Sequence, residues 1–64
     1  MGKKRRGNYV FLTWTGDHGP RHVHVYKDAR FVVKWDLENN AVMEGRISRN
    51  ILKYINELID EGEL

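Results

Sequence analysis

The chain contains no cysteine, so neither a disulfide nor a thiolate-ligated zinc site can stabilise it. No apolar run approaches the roughly 20 residues that a membrane-spanning helix needs, and nothing in it resembles a signal peptide. A chain of 64 residues forms one small domain that hides only about 60 % of its unfolded surface. Stability is therefore expected from tight packing, from a histidine-bound metal, or from a partner chain such as a second copy in a homodimer. The lack of cysteine fits a cytoplasmic protein.

Proline occurs once, and it lies in the segment that holds all three histidines, residues 17–25. Histidine is the side chain whose charge changes most easily near neutral pH, and its ring nitrogens can donate, accept or bind a metal. Any chemistry of this protein is therefore expected to start in this segment.

The net charge is only +2, but the charge is unevenly spread along the chain. The basic residues near the start are Lys3, Lys4, Arg5 and Arg6, and the acidic residues near the other end are Glu57, Asp60, Glu61 and Glu63. We expect residues 1–7 to be a basic flexible arm and residues 8–64 to be a single small α+β domain. Such an arm can bind a phosphate backbone or remain a solvated tail, and the sequence leaves both alternatives open.

The spacing of apolar residues predicts strands first and one helix last. Residues 9–14 are aromatic and β-branched, and residues 22–26 alternate strictly between apolar and polar, which is typical of strands. Residues 31–37 carry apolar side chains on one face, and residues 41–45 form a shorter fourth strand after the turn at Asn39 and Asn40. Ser48 is a suitable N-cap for a helix that Gly62 would end. The apolar stripe of this helix consists of Ile51, Leu52, Ile55, Leu58 and Ile59. The pattern predicts an α+β fold: an antiparallel meander of three to four strands with one C-terminal helix packed on one face.

Three-residue loops at residues 28–30 and 38–40 would align the strands so that their apolar faces agree. The pairs predicted between the second and third strands are His22 with Asp36, Val23 with Trp35, His24 with Lys34 and Val25 with Val33. Those predicted between the third and fourth strands are Lys34 with Glu44 and Trp35 with Met43. The apolar face of the third strand would carry Phe31, Val33, Trp35 and Leu37. The open face would carry His22, His24, Tyr26, Val32, Lys34, Asp36, Val42 and Glu44.

The order of residues in the histidine segment resembles a known signature. The segment reads Asp17, His18, Gly19, Pro20, Arg21, His22, Val23, His24, and residues 43–45 read Met-Glu-Gly before a basic helix start. This resembles a bacterial domain-of-unknown-function family (four-one-six-zero), whose motif has the form Asp-His-x-Pro-Pro-His-x-His. Arg21 stands where a second proline is common. The resemblance implies a small cytoplasmic prokaryotic protein whose gene neighbours suggest toxin–antitoxin pairs, with no established activity.

The first chemical hypothesis for the histidines is metal binding. His22 and His24 project from the same side of a strand, and His18 or Asp17 would close a site for zinc or a similar divalent metal. No thiolate is available to strengthen such a site.

The second hypothesis is metal-independent cleavage of RNA, which needs no cofactor. Its catalytic residues would be Asp17, His18, His22, His24 and Lys34, with the histidines moving protons and the lysine steadying the phosphate. The residues expected to bind the nucleic acid are Lys3, Lys4, Arg5, Arg6, Arg21, Tyr26, Arg46 and Arg49.

The third hypothesis assigns the histidine segment a structural role. The exposed sheet face, or a sheet edge, would then bind a partner protein such as the product of a neighbouring gene.

Overall fold

In the computed structural model, the described residues, 2–13 and 21–64, form five strands followed by one helix. These elements are β1 (Gly2–Arg6), β2 (Tyr9–Thr13), β3 (His22–Lys27), β4 (Arg30–Asp36), β5 (Ala41–Gly45) and α1 (Arg49–Asp60). The strands form one antiparallel sheet in the order β1-β2-β3-β4-β5. The predicted α+β class and meander order are confirmed, and the predicted strand number is too low.

The additional strand is β1, which occupies the segment expected to be a free arm. It pairs with β2 from Gly2 opposite Thr13 to Arg6 opposite Tyr9. Four adjacent basic residues show no apolar alternation, so the pattern that identifies the other strands is absent here.

The core lies between one face of the sheet and α1. The sheet contributes Phe11, Val23, Val25, Val33 and Trp35, and the helix contributes Ile51, Ile55 and Leu58. Ile59, which was predicted for the buried stripe, is 39 % exposed. The predicted helix ends are confirmed: the Ser48 hydroxyl accepts a hydrogen bond from the Ile51 N–H at 3.2 Å, and Gly62 adopts a φ of 77° just beyond the helix.

A β-bulge between β3 and β4 changes the face of one aromatic side chain. The turn has two residues outside the strands, Asp28 and Ala29, both with positive φ. Val25 still pairs with Val33, but Tyr26 pairs with Phe31, so Val32 is an extra residue in β4. The prediction that Phe31 shares the apolar face is therefore wrong, and its side chain is 41 % exposed.

A second bulge lies between β4 and β5. The predicted pair of Lys34 with Glu44 is confirmed, but Trp35 pairs with Val42 instead of Met43, and Ala41 takes the predicted place of Val42 opposite Asp36.

Gly45 allows the end of β5 to lie close against the first half of β4. A Cβ atom at this position would overlap the carbonyl oxygen of Val32, and the φ of 84° is one that other residues rarely adopt. The next residue, Arg46, donates its backbone N–H to the same carbonyl at 3.2 Å.

Candidate nucleic-acid interface

The face of the sheet opposite α1, called the outer face below, carries cationic, imidazole and aromatic side chains. Side chains alternate along each strand, so residues between the core positions point to this face. The outer face consists of Lys3, Arg5, Val10, Leu12, His22, His24, Tyr26, Phe31, Lys34, Asp36, Ala41 and Glu44. Within residues 2–13 and 21–64, α1 is the one helix, and it packs against the other side of the sheet.

One row of the outer face crosses all five strands. Its members, in order from β1 to β5, are Lys3, Leu12, His24, Lys34 and Glu44. Neighbouring strands in a sheet lie about 4.8 Å apart. His24 therefore lies between an apolar side chain and a lysine, in the middle of the sheet, where it is half-buried.

The two imidazoles of β3 are direct neighbours. The ring centroids of His22 and His24 lie 5.1 Å apart, with the rings at 72°. On the opposite strand, Asp36 faces His22 and Lys34 faces His24. The geometry thus brings together three of the five residues predicted for catalysis: His22, His24 and Lys34.

Asp36 is held firmly beside His22. It is only 6 % exposed, and it accepts hydrogen bonds from the backbone N–H groups of Glu38 at 2.8 Å and Asn39 at 2.9 Å, and from the Asn39 amide nitrogen at 2.7 Å. The Asn39 side chain, followed by these backbone donors, lowers the pKa of Asp36 below its ordinary value. A fixed carboxylate therefore lies next to one imidazole of the pair.

Two aromatic rings lie at the end of the outer face near the β3–β4 turn. The rings of Tyr26 and Phe31 are 5.8 Å apart and meet edge to face. Arg5 lies in the same cross-strand row, separated from Tyr26 by Val10. Tyr26 was predicted as a stacking residue. Phe31 was missed, because only the bulge turns its ring to this side.

The basic residues of β1 divide between the two sides of the strand. Lys4 pairs with Glu63 on the helix side, and Arg6 pairs with Glu57 at 3.1 Å and with Glu61. These side-chain hydrogen bonds raise the pKa of Arg6 and lower that of Glu61. Lys4 and Arg6 are therefore not part of the outer face.

The other predicted nucleic-acid contacts lie at three separate places. Arg21 precedes β3, and its backbone N–H donates to the Glu38 carboxylate. Arg46 follows β5, and Arg49 is the exposed first residue of α1. The structure does not bring these three together into one patch with the histidines.

Two predicted catalytic residues, Asp17 and His18, lie outside the described residues. The metal hypothesis depends on them, because His22 and His24 supply only two ligands. Across residues 2–13 and 21–64, no group of three or more histidines and carboxylates could hold a metal ion.

The same part of the chain contains no helix that is long and apolar enough to cross a membrane. The expected homodimer, neighbouring-gene partner and cytoplasmic location stay predictions.

A family model described as a domain of unknown function, DUF4160, matches residues 7–63. No curated protein and no solved structure matches the chain.

Proposed function

Because the chain belongs to the DUF4160 family of domains of unknown function, we propose its function from the outer face: it binds single-stranded RNA there and cleaves it without a metal. The observation that carries this proposal is the composition of the face. Cations, two stacking rings and an imidazole pair occur together on the side of the sheet that α1 leaves uncovered.

Each class of side chain matches one part of a nucleotide. Lys3, Arg5 and Lys34 can neutralise phosphates, which supplies most of the sequence-independent affinity for nucleic acid. Tyr26 and Phe31 offer ring surfaces on which unpaired bases stack. Aromatic residues on an uncovered sheet face are a known way to hold single-stranded RNA.

The histidine pair fits the proton transfers of RNA cleavage. One imidazole takes the proton of the ribose 2′-hydroxyl, and the freed oxygen attacks the adjacent phosphorus. The bond from phosphorus to the 5′ oxygen breaks, and the second imidazole gives that oxygen a proton. The products are a 2′,3′-cyclic phosphate and a 5′-hydroxyl. Rings 5.1 Å apart can flank one phosphate, while Lys34 opposite His24 stabilises the negative charge that develops there.

The test uses the purified full chain with a fluorescently labelled single-stranded RNA and the same sequence as DNA. We expect both to bind with an affinity that falls as salt rises, and only the RNA to be cleaved, because DNA lacks the attacking hydroxyl. A chelator should not change the rate. His22→Ala and His24→Ala should abolish cleavage and retain binding. The matched control is Lys53→Ala, at an exposed position on α1, and it should retain both binding and cleavage.

The outcomes separate binding from chemistry. Absence of RNA binding at low salt would overturn the proposal. RNA binding without cleavage by the wild-type chain, or cleavage that survives in both histidine variants, would overturn the catalytic part alone. A ribonuclease of this kind would be suited to the toxin role in a toxin–antitoxin pair. Expression of the wild-type chain should then slow bacterial growth, and expression of the His22→Ala, His24→Ala double variant should not.

A further inference from the structure

A cleft of about 830 Å³ lies at the end of the sheet beside the β3–β4 turn. Phe31 lines it from the outer face, whereas Lys27 and Arg30 lie in the cross-strand row of Arg6 and Tyr9, on the helix side. Its walls include Lys27 and Arg30 at the β3–β4 turn, Phe31 in β4, and Arg46 just after β5. None of the three hypotheses for the histidine segment uses this cleft as a site.

The two bulged strands shape the cleft and position the backbone of Arg46. The extra residue Val32 turns Phe31 outward, and the absence of a side chain at Gly45 lets β5 approach the Val32 carbonyl. The hydrogen bond from the Arg46 N–H to that carbonyl then holds Arg46 beside β4. Backbone contacts thus hold Arg46 at the cleft that Phe31 also lines.

The charge in the cleft is mainly positive. Lys27, Arg30 and Arg46 line it together with a single carboxylate, Asp28. Within the described ranges, Arg30 and Arg46 form no ion pair, whereas the basic residues on the helix side of β1 do. Positive charge beside a half-exposed aromatic ring is the combination that recognises a nucleotide, with its anionic phosphate and flat base.

We infer that the cleft binds one nucleotide of the RNA, with its base on Phe31 and its phosphate between Arg30 and Arg46. The inference rests on the proposed function and extends it: the RNA strand would run from the histidine pair across Tyr26 and over the end of the sheet into this cleft. The binding would tolerate any base, because every base offers a face for stacking.

The experiment measures binding of a single-stranded RNA of about eight nucleotides at several salt concentrations. Phe31→Leu keeps an apolar side chain against Tyr26 but removes the ring, and it should weaken binding about tenfold without changing the salt dependence. Arg46→Gln should weaken binding and reduce the slope of log affinity against log salt by about 0.7, as expected for one lost phosphate contact. Phe31→Tyr keeps the ring and should therefore recover the affinity that Phe31→Leu loses.

Controls separate the cleft from the fold and from the rest of the outer face. Met43→Ala changes a 43 % exposed side chain of the neighbouring strand and should change neither affinity nor slope. Thermal melting of every variant verifies that the fold is intact. If the wild type binds RNA while folded Phe31→Leu and Arg46→Gln proteins keep its affinity and slope, the nucleotide site is wrong and the proposed function stands. If the wild type does not bind RNA, the proposed function itself is wrong.

Discussion

Strand β1 carries four basic residues in a row, and its two sides have different surroundings. On the helix side, Lys4 and Arg6 form ion pairs with acidic residues at the end of the chain. On the outer side, Lys3 and Arg5 are exposed, and neither has an ion pair among the described residues. The comparison shows that a run of like charge in a strand is not one functional unit. Alternation places Lys4 and Arg6 where they stabilise the fold and leaves Lys3 and Arg5 exposed on the outer face.

The helix-side pairs also explain an electrostatic conflict in α1. Acidic residues near a helix C-terminus oppose the helix dipole, and the last turn of α1 contains no basic residue. Arg6 supplies the missing positive charge from the sheet, through hydrogen bonds to Glu57 and Glu61. The covered face and this ion-pair group therefore stabilise the domain, while the outer face carries the residues of the proposed function.

The largest expected effect on stability comes from removing a core side chain on the helix side of the sheet. Ile55 is fully buried between α1 and the sheet, so Ile55→Ala should lower the free energy of unfolding by about 2 to 5 kcal/mol. Lys3→Ala on the outer side should change it by less than about 0.5 kcal/mol. Urea unfolding followed by circular dichroism measures both. Equal losses in the two variants would contradict the division.

The apolar periodicity was sufficient to predict four strands, the helix and its cap. It also predicted the pairs that form the histidine rows, because only the register that pairs His24 with Lys34 and His22 with Asp36 keeps the valines and Trp35 on one face. The position of the imidazoles relative to the helix thus follows from the sequence alone.

The remaining features depend on contacts that periodicity does not contain. β1 is stabilised partly by Arg6, whose partner Glu61 is 55 positions away in the chain. The bulge at Val32 follows a turn formed by Asp28 and Ala29 with positive φ, a conformation usually marked by glycine. Because the turn contains no glycine, the sequence did not predict that Phe31 points outward. It therefore did not predict the cleft that Phe31 lines.

A second test compares two carboxyls whose pKa values are lowered for different reasons. The Asn39 side chain and backbone N–H groups lower the pKa of Asp36, and the Arg6 side chain lowers that of Glu61. Because the folded pKa is below the unfolded one, each stabilising contribution is fully present above about pH 5 and is lost as the pH falls through the folded pKa. Stability should therefore decline below about pH 5.

Variants and salt separate the two contributions. Asp36→Asn and Asn39→Ala should each reduce the acid-dependent loss at any salt concentration. High salt should reduce mainly the part that comes from Glu61, because its ion pair with Arg6 is exposed to solvent. Urea unfolding across a pH series measures these changes. Parallel stability curves for Asp36→Asn and the wild type would show that Asp36 does not contribute as its hydrogen bonds indicate.

The smallest effect on stability, and the sharpest comparison, comes from reversing one charge on each side of β1. Arg6→Glu places a carboxylate against Glu57 and Glu61, so it should lower the melting temperature, and a compensating Glu61→Arg should restore part of the loss. Arg5→Glu should leave the melting temperature unchanged, weaken RNA binding, and reduce the salt slope by at least about 0.7. Since the two positions are adjacent and chemically identical, only their orientation can cause the difference. Equal melting temperatures and equal RNA affinities for the two variants would mean that β1 does not divide its charge in this way.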